Sequence, residues 1–306
     1  MKVKLKNKDL VSIADLSKDE ILFILKKAKE FKNKKIKETS LKGKSVAMIF
    51  EKPSTRTRVS FEVGIYELGG HLIYLSANEI HLSRGETISD TAKVLSRYVN
   101  GIILRTYSHN NVVELAKHSD VPVINALSDF EHPCQILADL FTIQEKKGLK
   151  NIKITFVGDG DNNVTNSLIL GCSILNIELN VSSPVGYEPK GKILKMAKDI
   201  NKSAKISITN DPKEGVKLAD VIYTDVWTSM GMEKEKESRK KVFKDFQINK
   251  NLLEWIGKKD YLIMHCLPAH RGEEITDEIL DGDNSVAFDQ AENRLHAQKA
   301  VLSLLM

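Results

Sequence analysis

The chain has 306 residues, 42% of them hydrophobic and 28% charged, with a formal net charge of +5. That length exceeds one average domain and makes two the expectation, and the ordinary apolar share excludes a disordered chain. No signal-peptide stretch opens the sequence and no run approaches the roughly 20 apolar residues of a membrane span, while Cys134, Cys172 and Cys266 are too few and scattered for a disulfide framework or a zinc site, so a reducing, cytoplasmic setting is expected.

The lysine-rich segment before residue 45 comes first. Ser17-Lys18-Asp19-Glu20 has the form of a capping box, and Ile21, Leu22, Ile24, Leu25, Ala28 and Phe31 make one apolar helical face. The lysines between them are then a solvated face; aromatic platforms and groove-reading motifs that would suit nucleic acid are missing. Short apolar runs follow at Ser45-Phe50, Leu72-Leu75, Gly101-Leu104 and Val121-Asn125, separated by helical patterns, which is the alternation of a parallel sheet. A second series, Ile152-Val157, Leu179-Ser182, Lys205-Thr209, Val221-Thr224, Tyr261-His265 and Ser285-Phe288, repeats the architecture without repeating the sequence.

The fold class expected is α/β, with two doubly wound domains, each a mainly parallel sheet flanked by helices. The first spans 1–145 and the second 146–289, joined by a helix from His132 to Lys147. A last helix, about 290–306, is expected to pack back on the first domain, although the periodicity of Gln290 to Leu304 does not decide this. In open sheets of this kind ligands bind beyond the carboxyl ends of the strands, so the residues after each strand carry the functional argument.

Ser54-Thr55-Arg56-Thr57-Arg58 follows the first strand and opens a helix that runs to about Leu68. Free backbone N–H groups, the positive end of the helix dipole, hydroxyls and a guanidinium together suit an anion such as phosphate. Arg105 follows the third strand, and His132-Pro133-Cys134-Gln135 comes after the fourth, with His132 and Gln135 spaced to face one carbonyl or amide group. Three polar clusters at strand exits of one sheet point to a shared site.

In the second series, Gly158-Asp159-Gly160-Asp161-Asn162-Asn163 is similar to the start of a dinucleotide fingerprint. It fails at the third glycine position, held by Asn163, and the next strand ends in Ser182-Ser183-Pro184 without the acidic residue that would meet a ribose. A nicotinamide-dependent dehydrogenase is therefore disfavoured, and Asn163 is available to a substrate carboxylate. Asp225-Val226-Trp227-Thr228-Ser229-Met230-Gly231 places a carboxylate suited to an ammonium group at a strand exit, in a loop whose small residues suit movement. His265-Cys266-Leu267-Pro268 ends another strand; without an Asn or Asp placed by sequence to orient a thiolate pair, Cys266 reads as small and inert rather than as a nucleophile.

Together and in order, over nearly the whole chain, these segments resemble the aspartate and ornithine carbamoyltransferase family. Ser54 to Arg58 and His132-Pro-Cys-Gln135 are the part common to both branches; Asp225 with Ser229-Met230-Gly231, and His265-Cys-Leu-Pro268, point to the ornithine branch. The resemblance implies transfer of a carbamoyl group from carbamoyl phosphate to the side-chain amine of ornithine, giving citrulline and phosphate. The setting is arginine metabolism, with biosynthesis expected although the chemistry reads alike in both directions. It implies that Ser54, Thr55, Arg56 and Thr57 hold the phosphate, that Arg105, His132 and Gln135 surround the carbamoyl group, and that Arg294 completes the carbonyl contacts. Asn163, Asp225, Ser229 and Met230 would hold ornithine's α-amino and α-carboxylate end, while Cys266 and Leu267 line the approach of its side-chain amine. Of these, Arg105, His132 and Cys266 are the expected catalytic positions. The family's trimers carry a residue from a neighbouring subunit into the phosphate site, here expected to be His81, where many bacterial members have Gln. No metal, cofactor, covalent intermediate, nucleic acid or membrane partner is expected.

Overall fold

In a computed structural model of the chain, described for residues 5–34, 38–76, 80, 85–228 and 233–306, the helix α1 (Lys18–Lys32) opens on the capping box its sequence encodes. Ser17 Oγ accepts from the Glu20 N–H at 3.3 Å, and Glu20 Oε2 accepts from the Ser17 N–H at 2.7 Å. Two amides that a helix start leaves unpaired are thus satisfied reciprocally. Ile21, Ile24, Leu25, Ala28 and Phe31 are buried, whereas Lys26 and Lys29 lie on the exposed face.

By contacts the chain divides into two compact units, Met1–Phe141 with Glu292–Met306, and Thr142–Ala291. In the first, β1 (Ser45–Phe50), β2 (His71–Ser76), β3 (Gly101–Arg105) and β4 (Val123–Leu127) form a parallel sheet in the order β2-β1-β3-β4. The helices α2 (Thr55–Glu67), α3 (Ile88–Leu95), α4 (His109–His118) and α5 (Pro133–Lys146) accompany it. Ala47, Ile49, Ile102, Leu104 and Val123 of the strands pack with Ala92 of α3 and with Val112 and Leu115 of α4. Apolar residues on successive strands meeting a helix stripe is the packing that this alternating sequence can bury.

The second unit has β5 (Lys153–Val157), β6 (Glu178–Ser182), β7 (Ile206–Thr209), β8 (Val221–Thr224) and β9 (Leu262–His265), all parallel, in the order β7-β6-β5-β8-β9. Its helices are α6 (Asn163–Leu175), α7 (Gly191–Ile200), α8 (Pro212–Val216), α9 (Lys236–Phe243), α10 (Lys250–Leu253) and α11 (Asp277–Leu280). α6 is buried nearly all round, consistent with a sequence that is apolar or small on every face. The final helix α12 (Ala287–Leu305) ends in the first unit, where the Met306 carbonyl accepts from Lys44 Nζ at 2.6 Å and the Leu305 carbonyl from the Asn7 N–H at 2.8 Å.

Two expectations are corrected. Ser285-Phe288 is no strand: Ser285 forms a single bridge with Ile263, and Ala287 already begins α12. A run of four apolar or small residues suits a buried helix start as well as a strand, and periodicity cannot separate them. Arg105 does not follow β3 but ends it, in register with Phe50 on one side and Leu127 on the other. Its side chain is thereby fixed to a strand rather than to a loop.

Phe156 of β5 is fully buried, with its ring 5.7 Å from that of Tyr223 on β8. Phe156→Ala is expected to cost about 3–5 kcal/mol through lost burial and a residual cavity. A urea midpoint indistinguishable from that of the parent chain would contradict this placement of the core.

Candidate active site

Both strand orders reverse beside their central strand, between β1 and β3 in the first unit and between β5 and β8 in the second. Connections leave these neighbours towards opposite faces, so a crevice opens at their carboxyl ends. Ser54 to Thr57 follow β1, Arg105 ends β3, Asn163 follows β5 and Asp225 follows β8, at these two places. His132 and Gln135 instead follow β4, Cys266 and Leu267 follow β9, and Arg294 lies on α12.

In the first unit, Ser54 is the N-cap of α2, its backbone extended and its Oγ accepting from the Thr57 N–H at 3.3 Å. Thr55 and Arg56 occupy the first turn, with Arg56 half-buried and Thr57 buried. Arg294 on α12 reaches the same point: Nη1 donates to Gln135 Oε1 at 2.6 Å and Nη2 to Thr57 Oγ1 at 3.3 Å. Gln135 in turn donates from Nε2 to Asp139 at 2.8 Å, which fixes the orientation of its amide. Arg105, only 6% exposed, donates from Nε to the Lys52 carbonyl at 3.2 Å.

His132 precedes α5, and its carbonyl accepts the first helical bonds, from the N–H groups of Gln135 and Ile136. Its side chain is buried, and burial, then Arg294, then Arg105 push the imidazole well below its ordinary pKa. It is therefore neutral at pH 7, a hydrogen-bonding group rather than a cation. Burial, followed by the charges of Arg294 and Arg56, lowers Arg105 to about 10. A buried guanidinium depressed by neighbouring cations is stabilised by a bound anion. Lys52, which sequence reasoning passed over, belongs to the same region: it lies over the Tyr107 ring at 4.2 Å, and burial and then Arg105 lower its pKa. Its signal was its place two residues after the end of β1.

In the second unit, Asn162 rather than Asn163 caps α6, accepting from the Thr165 N–H at 2.8 Å, which leaves Asn163 as the first helical residue at the mouth of β5. Asp225 leaves β8 as a buried carboxylate; its Oδ1 accepts from the Val226 N–H at 2.8 Å and from the Cys266 thiol at 3.0 Å. Burial raises its pKa, the nearby His265 opposing this, so the site favours a cation beside Asp225. The structure thus supplies the Asp beside Cys266 that sequence alone did not reveal, but the thiol spends its proton on that carboxylate, and the pair is not that of an activated nucleophile.

The buried His265 fixes the loop that carries Cys266 and Leu267. Its Nδ1 accepts from the Leu267 N–H at 2.8 Å, and its Nε2 lies 3.0 Å from Glu274 Oε1. Leu267 holds φ of 58°, a left-handed conformation costly for a branched side chain and sustained here by that bond.

Gly160 explains why the glycine-rich turn is not a dinucleotide cradle. A Cβ there would lie 2.5 Å from Ser183 Oγ and 2.8 Å from Pro189 Cδ, and its N–H already donates to the Tyr187 carbonyl at 2.9 Å. The space that a pyrophosphate would need is filled by the segment after β6. Asp225, His265 and Cys266 present potential metal-ligand atoms within 4.8 Å of one another, as do His270, Glu273 and Glu274. In the first set these atoms already serve the bonds just described; in the second, Glu273 pairs with Lys236 and Lys240. His81, Ser229 and Met230 lie outside the described residues.

Two family models match the chain: "Aspartate/ornithine carbamoyltransferase, carbamoyl-P binding domain" over residues 8–145, and the corresponding "Asp/Orn binding domain" over residues 150–305. The chain is 55% identical over 312 residues to the ornithine carbamoyltransferase of Pyrococcus horikoshii, covering 100% of this chain and 98% of that one. It is equally 55% identical to the enzyme called anabolic from Pyrococcus furiosus, with the same coverage. The structure of ornithine carbamoyltransferase from Pyrococcus furiosus superposes with a TM-score of 0.95 at 54% identity, covering 100% of this chain and 99% of that one. That from Thermus thermophilus gives 0.88 at 43%, covering 98% and 99%.

The electrostatics yield a prediction with a definite sign. Because Arg294 depresses His132, Arg294→Met is expected to raise the His132 pKa towards the ordinary histidine value, and inorganic phosphate is expected to raise it in the native chain. An NMR titration of the His132 ring follows both; a pKa unmoved by either change would show that the guanidinium does not act on it.

Proposed function

Because the chain belongs to the aspartate/ornithine carbamoyltransferase family, we propose that it transfers the carbamoyl group of carbamoyl phosphate to the side-chain amine of L-ornithine, giving L-citrulline and phosphate. The observation that carries this reading is the buried Arg105, its pKa lowered by burial and by the charges of Arg294 and Arg56, beside a neutral His132 that Arg294 and Arg105 depress. The relatives' names support ornithine as acceptor, and the one called anabolic supports a role in arginine biosynthesis.

In this reading residues 1–145 form the carbamoyl-phosphate domain, with α12 contributing Arg294, and 146–289 the ornithine domain. Ser54, Thr55, Arg56 and Thr57 take the phosphate, aided by the amides at the start of α2. Arg105 and the neutral His132 donate to the carbamoyl oxygen, while the remaining lone pair of Gln135 Oε1 accepts from the carbamoyl amide. Attack by the amine moves charge onto that oxygen, where the same donors meet it without reorganising. The tetrahedral intermediate then expels phosphate, whose charge the guanidiniums already offset.

A free alkyl amine has a pKa of about 10.4, so the nucleophile must be used in its minor, neutral form. Asp225 supplies a carboxylate for ornithine's α-ammonium, and Asn163 an amide for its α-carboxylate, which fixes the amine's approach without protonating it. Ser229 and Met230 complete the acceptor contacts; Cys266 and Leu267 line the amine's path. We further read the chain as a homotrimer in which His81 of one subunit reaches the phosphate of the next. The three free thiols support a cytoplasmic location.

The first test is citrulline formation from carbamoyl phosphate with ornithine, aspartate, putrescine or N-acetylornithine as acceptor. Ornithine is expected to be preferred; another acceptor would leave the phosphate half standing and remove the assignment of Asp225. Arg56→Ala is expected to reduce turnover about 100 to 1,000-fold, with thermal unfolding little changed. Asp225→Asn is expected to raise the KM for ornithine and spare that for carbamoyl phosphate; an equal rise in both would assign Asp225 to folding instead. His81→Gln is expected to flatten any change of carbamoyl phosphate affinity between about pH 6 and 8, where an ordinary histidine titrates.

A further inference from the structure

Arg239 lies on α9, within the run Glu233 to Lys241 where almost every residue is charged, yet it is only 4% exposed. One guanidinium there serves two loops. Its Nη2 donates to Asp159 Oδ2 and its Nε to the Trp227 carbonyl. Its planar group lies over the rings of Tyr187 at 4.8 Å and Phe243 at 5.2 Å, which restricts its rotation.

The two partners lead directly to the acceptor residues. The Asp159 carbonyl accepts from Asn162 Nδ2 at 2.9 Å and from Thr165 Oγ1 at 3.0 Å, so Asp159 is built into the turn that starts α6, where Asn163 is the first residue. Trp227 stands two residues after Asp225, and its ring stacks on Phe243 of the helix that carries Arg239. A buried ion pair is a poor source of net stability, because desolvating both charges offsets most of their attraction. Its value lies in geometry: a planar fork bonded to both exits holds them in one register.

We propose that Arg239 is a positioning residue that clamps the exit loop of β5 to that of β8, so that the Asn163 amide and the Asp225 carboxylate are held at the spacing of an amino acid's α-carboxylate and α-ammonium. This rests on the acceptor half of the proposed reaction. It acts through Asp159, whose pKa burial pushes up to about 6 against the pull of Arg239. The groups facing that carboxylate are Arg239 on α9, Asp161 on its own loop with Lys190 bonded to it at 2.7 Å, and Asp225 at the exit of β8. Above about pH 6 Asp159 is charged and the clamp is closed; below it the carboxyl is neutral and the hold on Arg239 weakens, so acceptor affinity falls on acidification.

The test measures the KM for each substrate in the native chain and in Arg239→Met, Arg239→Lys and Asp159→Asn. Misplacing a positioned group costs up to about 100-fold; Arg239→Met is expected to raise the KM for ornithine at least about tenfold while that for carbamoyl phosphate stays within about twofold. Arg239→Lys keeps the charge without the fork and is expected to fall between. In the native chain the KM for ornithine should rise as pH falls through about 6, and in Asp159→Asn that step should vanish. An unchanged KM for ornithine in Arg239→Met, or equal rises for both substrates, would overturn the clamp while leaving the reaction intact. Should Arg239→Met fail to fold, Asp159→Asn decides, because it keeps an acceptor for the guanidinium; a pH step that survives it overturns the proposal. A native chain that makes no citrulline from ornithine would overturn the reaction, and the clamp's role with it.

Discussion

Parallel strands deliver all their carboxyl ends to one edge of a sheet, and a reversal in strand order parts the connections at one point on that edge. β1 and β3 flank that point in the first unit, β5 and β8 in the second. The helix start at Ser54, the side chain of Arg105, the turn before Asn163 and the carboxylate of Asp225 all depend on it. Each is fixed by a strand or a helix terminus, so little conformational entropy remains to be lost when a ligand arrives.

What gathers at the first of these points is costly for the free protein. Arg105 and Arg294 are almost fully buried, and the charges of Arg294 and Arg56 help to lower the pKa of Arg105. Hydrogen bonds from Arg294 to Gln135 and Thr57, and from Arg105 to the Lys52 carbonyl, satisfy donors without neutralising charge. Buried guanidiniums held in place by such bonds are preorganised for an anion. The second unit has the opposite sign: Asp225 is buried and raised, and Nε2 of the nearby His265 lies against Glu274 Oε1. The two units thus carry opposite charge at their strand exits, Arg105 in one and Asp225 in the other.

Much of this was legible in the sequence because it is encoded locally. The apolar runs at Ser45–Phe50 and Val221–Thr224 are strands with the bounds read from them, and the box at Ser17 and Glu20 forms as written. The helix start at Ser54 could be read because a capping residue follows the strand and opens a helical pattern. Ser285 to Phe288 was misread because four residues hold no period long enough to separate a strand from the start of α12. Arg239 could not be found by any local rule, since a charged neighbourhood normally signals a solvated face.

The sequence by itself determined the elements, their alternation, the chemical character of each strand exit and, through the motifs, the family. These follow from short-range periodicity and side-chain type, which a linear chain displays. Only the tertiary structure decided that Arg294 from the last helix bonds Gln135 and Thr57, that Asp225 meets Cys266, and that Arg239 joins Asp159 to Trp227. Such pairs are between 12 and 237 residues apart in sequence. Burial and charge act through space, so a side chain's partners, and with them its protonation and its role, are fixed only when the chain has folded.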